Sequence, residues 1–114
     1  MKRILILLLV STAHADTWIR YAHTASGVTS EYNHTRITHH DNKGRTFVVW
    51  TRTQETETRY ELHCASESYR ITDQTRQDHG EVIWQLTDPE ATWHYAQPEG
   101  NEMALLDTIC TSYE

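Results

Sequence analysis

Residues 45–64 read RTFVVWTRTQETETRYELHC, and the fold turns on how this stretch is read. Phe47 and Val49 point one way along an extended chain, and Val48 and Trp50 point the other. Both faces are apolar at mid-strand, which predicts a central strand covered on both sides. Residues 51–58 are polar and hold neither Gly nor Pro, so they predict a turn of undefined type. Alternation then becomes clean. Tyr60, Leu62 and Cys64 share one face while Arg59, Glu61 and His63 share the other, as in a half-buried strand that delivers Cys64 to the core side.

Cys64 has one possible partner, because the chain of 114 residues holds two cysteines and the other is Cys110. The N-terminus places both in an oxidising compartment. Lys2 and Arg3 form a basic head, residues 4–10 a short apolar run, and Ala13-His14-Ala15 a small-residue cleavage site, the three parts of a secretory signal peptide. A run of seven apolar residues is far below the ~20 that span a bilayer as a helix, so no stable membrane anchor is expected after cleavage. No cysteine stands at the cleavage point to take a lipid. The expected organisation is a signal peptide at 1–15, cleaved after Ala15, and one domain at 16–114 that is periplasmic or secreted. In an exported chain two cysteines predict a disulfide, Cys64 to Cys110. Closing that loop stabilises the fold by roughly 4 kcal/mol on the chain-entropy model. That is a large share of a net stability of about 5–10 kcal/mol for a small domain.

Cleavage sharpens the charge balance. Lys2 and Arg3 leave with the signal and no acidic residue does, so the formal charge moves from −6 to −8. A domain this acidic repels phosphate backbones and is not expected to bind nucleic acid. Seven of the eight histidines lie beyond residue 15, and acidification through their ordinary pKa of ~6.5 would remove most of the negative charge.

Outside the anchor stretch the chain alternates strands and breaks. Residues 17–24 are rich in aromatic and β-favouring side chains and predict a first strand. Ser26-Gly27 interrupts, residues 28–33 resume, and residues 35–40 form a thin, exposed strand. Residues 41–44, DNKG, make the clearest turn in the chain. Residues 67–72 predict a strand with Tyr69 and Ile71 inward. Residues 73–79 have little to bury and predict a loop. Residues 81–87 form another strand, stopped at Asp88-Pro89. Residues 93–96 are short and extended. Asn101 suits an N-cap with Glu102 in the first turn. Met103, Leu106 and Cys110, with Ile109 beside them, then recur at helical spacing. Trp50 and Trp84 are expected in the core.

Candidate chemistry is sparse. No GxSxG, CxxC, HExxH or Gly-rich phosphate loop is present. His34, His39 and His40 beside Asp41 match no metal-ligand spacing and read as surface histidines. Glu55/Glu57 and Asp88/Glu90 pair carboxylates within single turns, whereas carboxylate chemistry takes its two groups from separate elements around a cleft. Asn33-His34-Thr35 is a glycosylation sequon. No cofactor, metal site or catalytic residue is expected, and the site residues are the two bridge cysteines.

The order of features resembles one family. Trp18 stands in an opening strand after a signal, followed by Val48-x-Trp50 and Tyr60-Glu61-x-x-Cys64. Tyr69-Arg70, a late Trp93 and Gln97-Pro98-Glu99-Gly100 come next, before a helix closing on Ile109-Cys110. This arrangement is similar to the surface-adhesin protein E family of small exported bacterial domains, across most of the mature chain. The resemblance implies an α+β fold: a single antiparallel sheet of about six strands with a C-terminal helix on one face, tethered by the Cys64–Cys110 bridge. It implies a non-catalytic, adhesin-like binding role toward a protein partner. The alternative is a periplasmic inhibitor or structural accessory of an envelope enzyme, favoured by the acidity of so small a domain. The chain departs from the family in carrying His63 where an acidic residue often precedes the first cysteine. Binding is expected at the polar turns 41–44, 54–58 and 73–79.

Overall fold

A computed structural model of the chain describes residues 17–40 and 45–113. The expected signal peptide at 1–15 and the turn at 41–44 lie outside the described residues. Eight strands form one antiparallel sheet: β1 (Trp18–His23), β2 (Thr29–Asn33), β3 (Thr38–His40), β4 (Thr46–Thr53), β5 (Thr56–His63), β6 (Ser68–Asp78), β7 (Glu81–Thr87) and β8 (His94–Tyr95). A short 3-10 turn (His34–Arg36) lies between β2 and β3, and an α-helix, α1 (Asn101–Ser112), follows the strands. The main path runs β1-β2-β4-β5-β6-β7, with β3 beside β4 and β8 beside β6. The long strands β4 and β6 thus each pair with two shorter ones end to end on their outer side: β3 and β2 for β4, β8 and β7 for β6.

The anchor stretch is the middle hairpin. Its ladder runs unbroken from Thr46↔His63 to Thr53↔Thr56, so the polar segment 51–58 is strand except for Gln54 and Glu55. Gln54 turns the chain with φ 54°, a left-handed backbone at the first loop position that matches the twist of the flanking strands. At the next hairpin His79 (φ 52°) and Gly80 (φ 82°) do the same between Asp78 and Glu81, the paired positive φ of a type I′ turn.

One face of the sheet carries the core. Phe47, Val49, Tyr60, Leu62 and Tyr32 meet Leu105, Leu106 and Ile109 of α1, all buried. The Cys64–Cys110 disulfide spans Cα atoms 5.9 Å apart and fixes the helix over the end of β5. Gly100, with φ −87° and ψ 166°, is the residue that precedes the helix, and no side chain caps it. Asn101 is therefore the first helical residue and not the N-cap. In place of a cap, Tyr60 Oη donates to Glu102 Oε2 at 3.2 Å, which ties the first turn to β5. The buried helical stripe is centred on Leu105 and Ile109, with Met103 and Cys110 at its margin.

Two further expectations are corrected. Residues 73–79 are not a loop: β6 continues to Asp78, paired with β5 and β7. Backbone ladders on both sides hold it, so it needs no apolar periodicity. Among the described residues, no other layer of secondary structure covers the second face of β4. Val48 is buried there between its cross-strand partners Thr38 and Glu61, but Trp50 is only partly buried and stands outside the core cluster.

Candidate functional site

The face opposite the helix is built from charge and tryptophan. Arg52 Nε pairs with Glu31 Oε1 at 2.8 Å and its guanidinium lies 4.3 Å from the Trp18 ring. Arg36 lies 5.1 Å from the Trp50 ring, and Arg70 lies 4.8 Å from that of Trp93. Arg70 is held by Glu61 at 2.8 Å, and Arg59 reaches Thr72 Oγ1 at 2.6 Å and Glu61 at 3.4 Å. Strand alternation puts Glu31, Arg52, Arg59, Glu61 and Arg70 on one face, where the arginine stems cover the sheet and their charges stay in water. Three of the four tryptophans are therefore committed to arginine stacks.

The fourth, Trp84, is on β7 and is 45% exposed, which overturns its expected place in the core. Every residue of β7 is exposed, including Val82, Ile83 and Leu86. β7 ends the strand path, so its outer row of backbone N–H and C=O groups has no strand beside it among the described residues. It holds neither Lys nor Pro, the residues that usually blunt an edge. The opposite edge strand, β1, differs: it carries Arg20, is bulged between Arg20 and Ala22, and runs beside α1.

Among the described residues, two clefts on the surface stand out. The smaller, about 230 Å³, is lined by Arg52, Gln54, Glu55, Glu57, Gln77, His79 and Gly80. It brings together two of the turns expected to bind, through the hydrogen bond from Gln77 N to Glu55 O at 2.9 Å. The larger, about 470 Å³, lies at the bridge end of the sheet and is lined by Thr46, His63, Ser66, Ser68, Trp93, His94 and Tyr95. Sequence reading did not single it out, because its residues come from β4, β5, the turn after it, β6, β8 and the residue before β8, and no local pattern joins them.

The remaining candidates scatter. His34 Nδ1 is 2.5 Å from Tyr113 Oη, and the His39 ring stacks on Phe47 at 4.5 Å. The two imidazoles thus serve different neighbours, and Asp41 lies outside the described residues. No group of three His, Cys, Asp or Glu able to hold a metal occurs among the described residues. Glu55 and Glu57 line the smaller cleft, while Asp88 Oδ1 accepts from the Glu90 amide in a turn. Asn33 of the sequon is fully buried, with Oδ1 accepting from Thr35 N and Oγ1. Burial pushes the Tyr60 hydroxyl well above its ordinary pKa, helped by the charges of Tyr21 and Glu102, and raises Tyr21 and Tyr69 as well. Tyr113 is pushed up to about 12 by desolvation and then by its contact with Tyr32. These phenols therefore keep their protons at ordinary pH.

No family model, curated protein or solved structure matches the chain.

Proposed function

We propose that this protein is an exported, non-catalytic binding domain that recognises a protein partner through strand β7. The carrying observation is the unprotected edge: Val82, Ile83, Trp84 and Leu86 are between 40% and 56% exposed on a strand whose outer edge pairs with no described strand. An extended segment of a partner laid along β7 gains main-chain hydrogen bonds from the strand and side-chain contacts from both of its faces. Burying the exposed part of each apolar side chain adds about 1 kcal/mol apiece. The resemblance to the surface-adhesin protein E family and the expected signal peptide support the same reading, since both place a small disulfide-bonded domain where it meets other proteins.

A displayed library of extended peptides, selected against the oxidised protein, tests this. Selected peptides are expected to slow amide exchange along residues 82–86. Trp84→Lys is expected to weaken them at least about tenfold, the loss of one aromatic contact, with an unchanged melting temperature because Trp84 contributes little to the core. Peptides that protect other residues and bind Trp84→Lys normally would overturn the proposal. So would sedimentation showing that β7 is already occupied by a second copy at working concentration.

A further inference from the structure

The larger cleft follows one row of the sheet. Thr46 pairs with His63, His63 with Ser68, and Ser68 with Tyr95, so these side chains stand side by side across β4, β5, β6 and β8. Thr46 and Ser68 are buried and form the floor. Ser66 Oγ is 2.6 Å from His63 Nδ1 and 2.6 Å from Ser68 Oγ, which sets a line of hydroxyl and imidazole groups along it. The Ser66 amide also donates to His63 Nδ1 at 3.3 Å. That makes the Ser66–His63 contact a clamp on the turn rather than a nucleophile with its base.

Two aromatic rings stand on this floor. Trp93 is 39% exposed and edge-on to His63 at 6.2 Å, and Arg70 fixes it from another side at 4.8 Å. Tyr95 is 76% exposed, yet its backbone is paired to Ser68. No Asp, Glu, Lys or Arg is among the described residues lining the cleft. Its volume, about 470 Å³, lies within the range of small-molecule sites.

Hydroxyls both donate and accept, aromatic rings pack against C–H faces, and a lining that holds no Asp, Glu, Lys or Arg among the described residues favours a neutral guest. A pyranose ring combines these demands, with an apolar face for Tyr95 or Trp93 and a hydroxyl rim for the floor. We infer that this cleft is a binding site for an uncharged sugar ring, a terminal pyranose of a glycan. It is separate from β7 and goes beyond protein recognition there.

Titration of the oxidised, isotope-labelled protein by nuclear magnetic resonance tests it. The probes are methyl glycosides of glucose, galactose, mannose and N-acetylglucosamine, with lactose and chitobiose to separate cell-surface glycans from wall polysaccharide. Sorbitol, which has the hydroxyls without the ring faces, is the control. At least one pyranoside is expected to saturate with a Kd of about 1 mM, weak enough to rest on a few contacts. It should move the Trp93 indole signal and the Ser66, Ser68 and Tyr95 amides while leaving Trp84 unmoved. Tyr95→Ala, at a position too exposed to disturb folding, should weaken binding at least about tenfold. Absence of saturation by every pyranoside up to about 50 mM, equal shifts with sorbitol, or unchanged affinity in Tyr95→Ala would each overturn the inference. Failure of peptide binding at β7 would leave these readouts untouched, so the two proposals are distinguishable.

Discussion

Four tyrosines hold their protons above the ordinary value, and desolvation is the leading cause in each: Tyr21, Tyr60, Tyr69 and Tyr113. The sign of the linkage follows. Over the range between the unfolded pKa of about 10 and the raised folded values, the native state keeps protons that the unfolded chain has lost. Stability from these groups is therefore complete below about pH 10 and is lost as pH rises through the folded values. Tyr113 marks part of that window at about 12, and burial raises Tyr60 as well. The melting temperature should fall over this range, and the tyrosinate absorbance of the native protein should rise at higher pH than that of a urea-unfolded sample. Coincident titration curves would show that the rings are not buried as described. None of this was legible in the sequence, since Tyr60 was readable only as an inward residue on an alternating strand, and its partner Glu102 lies 42 positions away.

At the scale of elements, α1 is short and would be marginal alone. Its place is set by Leu105, Leu106 and Ile109 packing on Phe47, Val49 and Leu62. Leu105 is fully buried, so Leu105→Ala should cost about 2–5 kcal/mol by lost transfer energy and a residual cavity, read as a lower urea midpoint with an unchanged slope. A loss below about 1 kcal/mol, the size of a surface change, would mean that the helix is not seated there. Helical periodicity in the sequence located this element with Met103, Leu106, Cys110 and the neighbouring Ile109, but it left out Leu105, which is fully buried. A period of 3.6 fixes which residues share a side but not which one faces the deepest part of a sheet. β6 and β7 were harder. Residues 73–79 have no alternation because both faces meet water or polar neighbours, as in the hydrogen bond from Gln74 Nε2 to Thr58 Oγ1 at 3.0 Å. Trp84 was expected in the core from its aromatic character, but its strand ends the sheet, and the position of a strand in the sheet order is a long-range fact.

Across the whole molecule, the Cys64–Cys110 bridge closes a separation of 46 residues and joins the end of β5 to the last turn of the helix. Between its two ends lie β6, β7 and β8. Cys64→Ser paired with Cys110→Ser should lower stability by roughly 4 kcal/mol on the chain-entropy model, measured by urea unfolding of the variant against the oxidised protein. A difference within about 0.5 kcal/mol, the spread of neutral surface substitutions, would show that packing of the helix alone suffices. The surfaces proposed to bind lie away from the helix-covered core: β7 at the sheet's edge and the cleft along the row from Thr46 to Tyr95.

The sequence by itself determined the local alphabet of this protein. Alternation at Tyr60, Leu62 and Cys64, the breaks at Gly27 and Pro89, the helical spacing after Gly100 and the count of two cysteines are all short-range or combinatorial signals, and each reappears in the fold. Tertiary structure alone decided which strand became an edge and which face stayed open. It also decided which side chains from four strands came to share one row. Those outcomes depend on the order of strands in the sheet, and pairings such as Ser68 with Tyr95 join residues that no local pattern relates. The candidate binding surfaces are products of that order, which is why the residues expected to bind from the sequence were turns and the surfaces that emerged were an edge and a cross-strand trough.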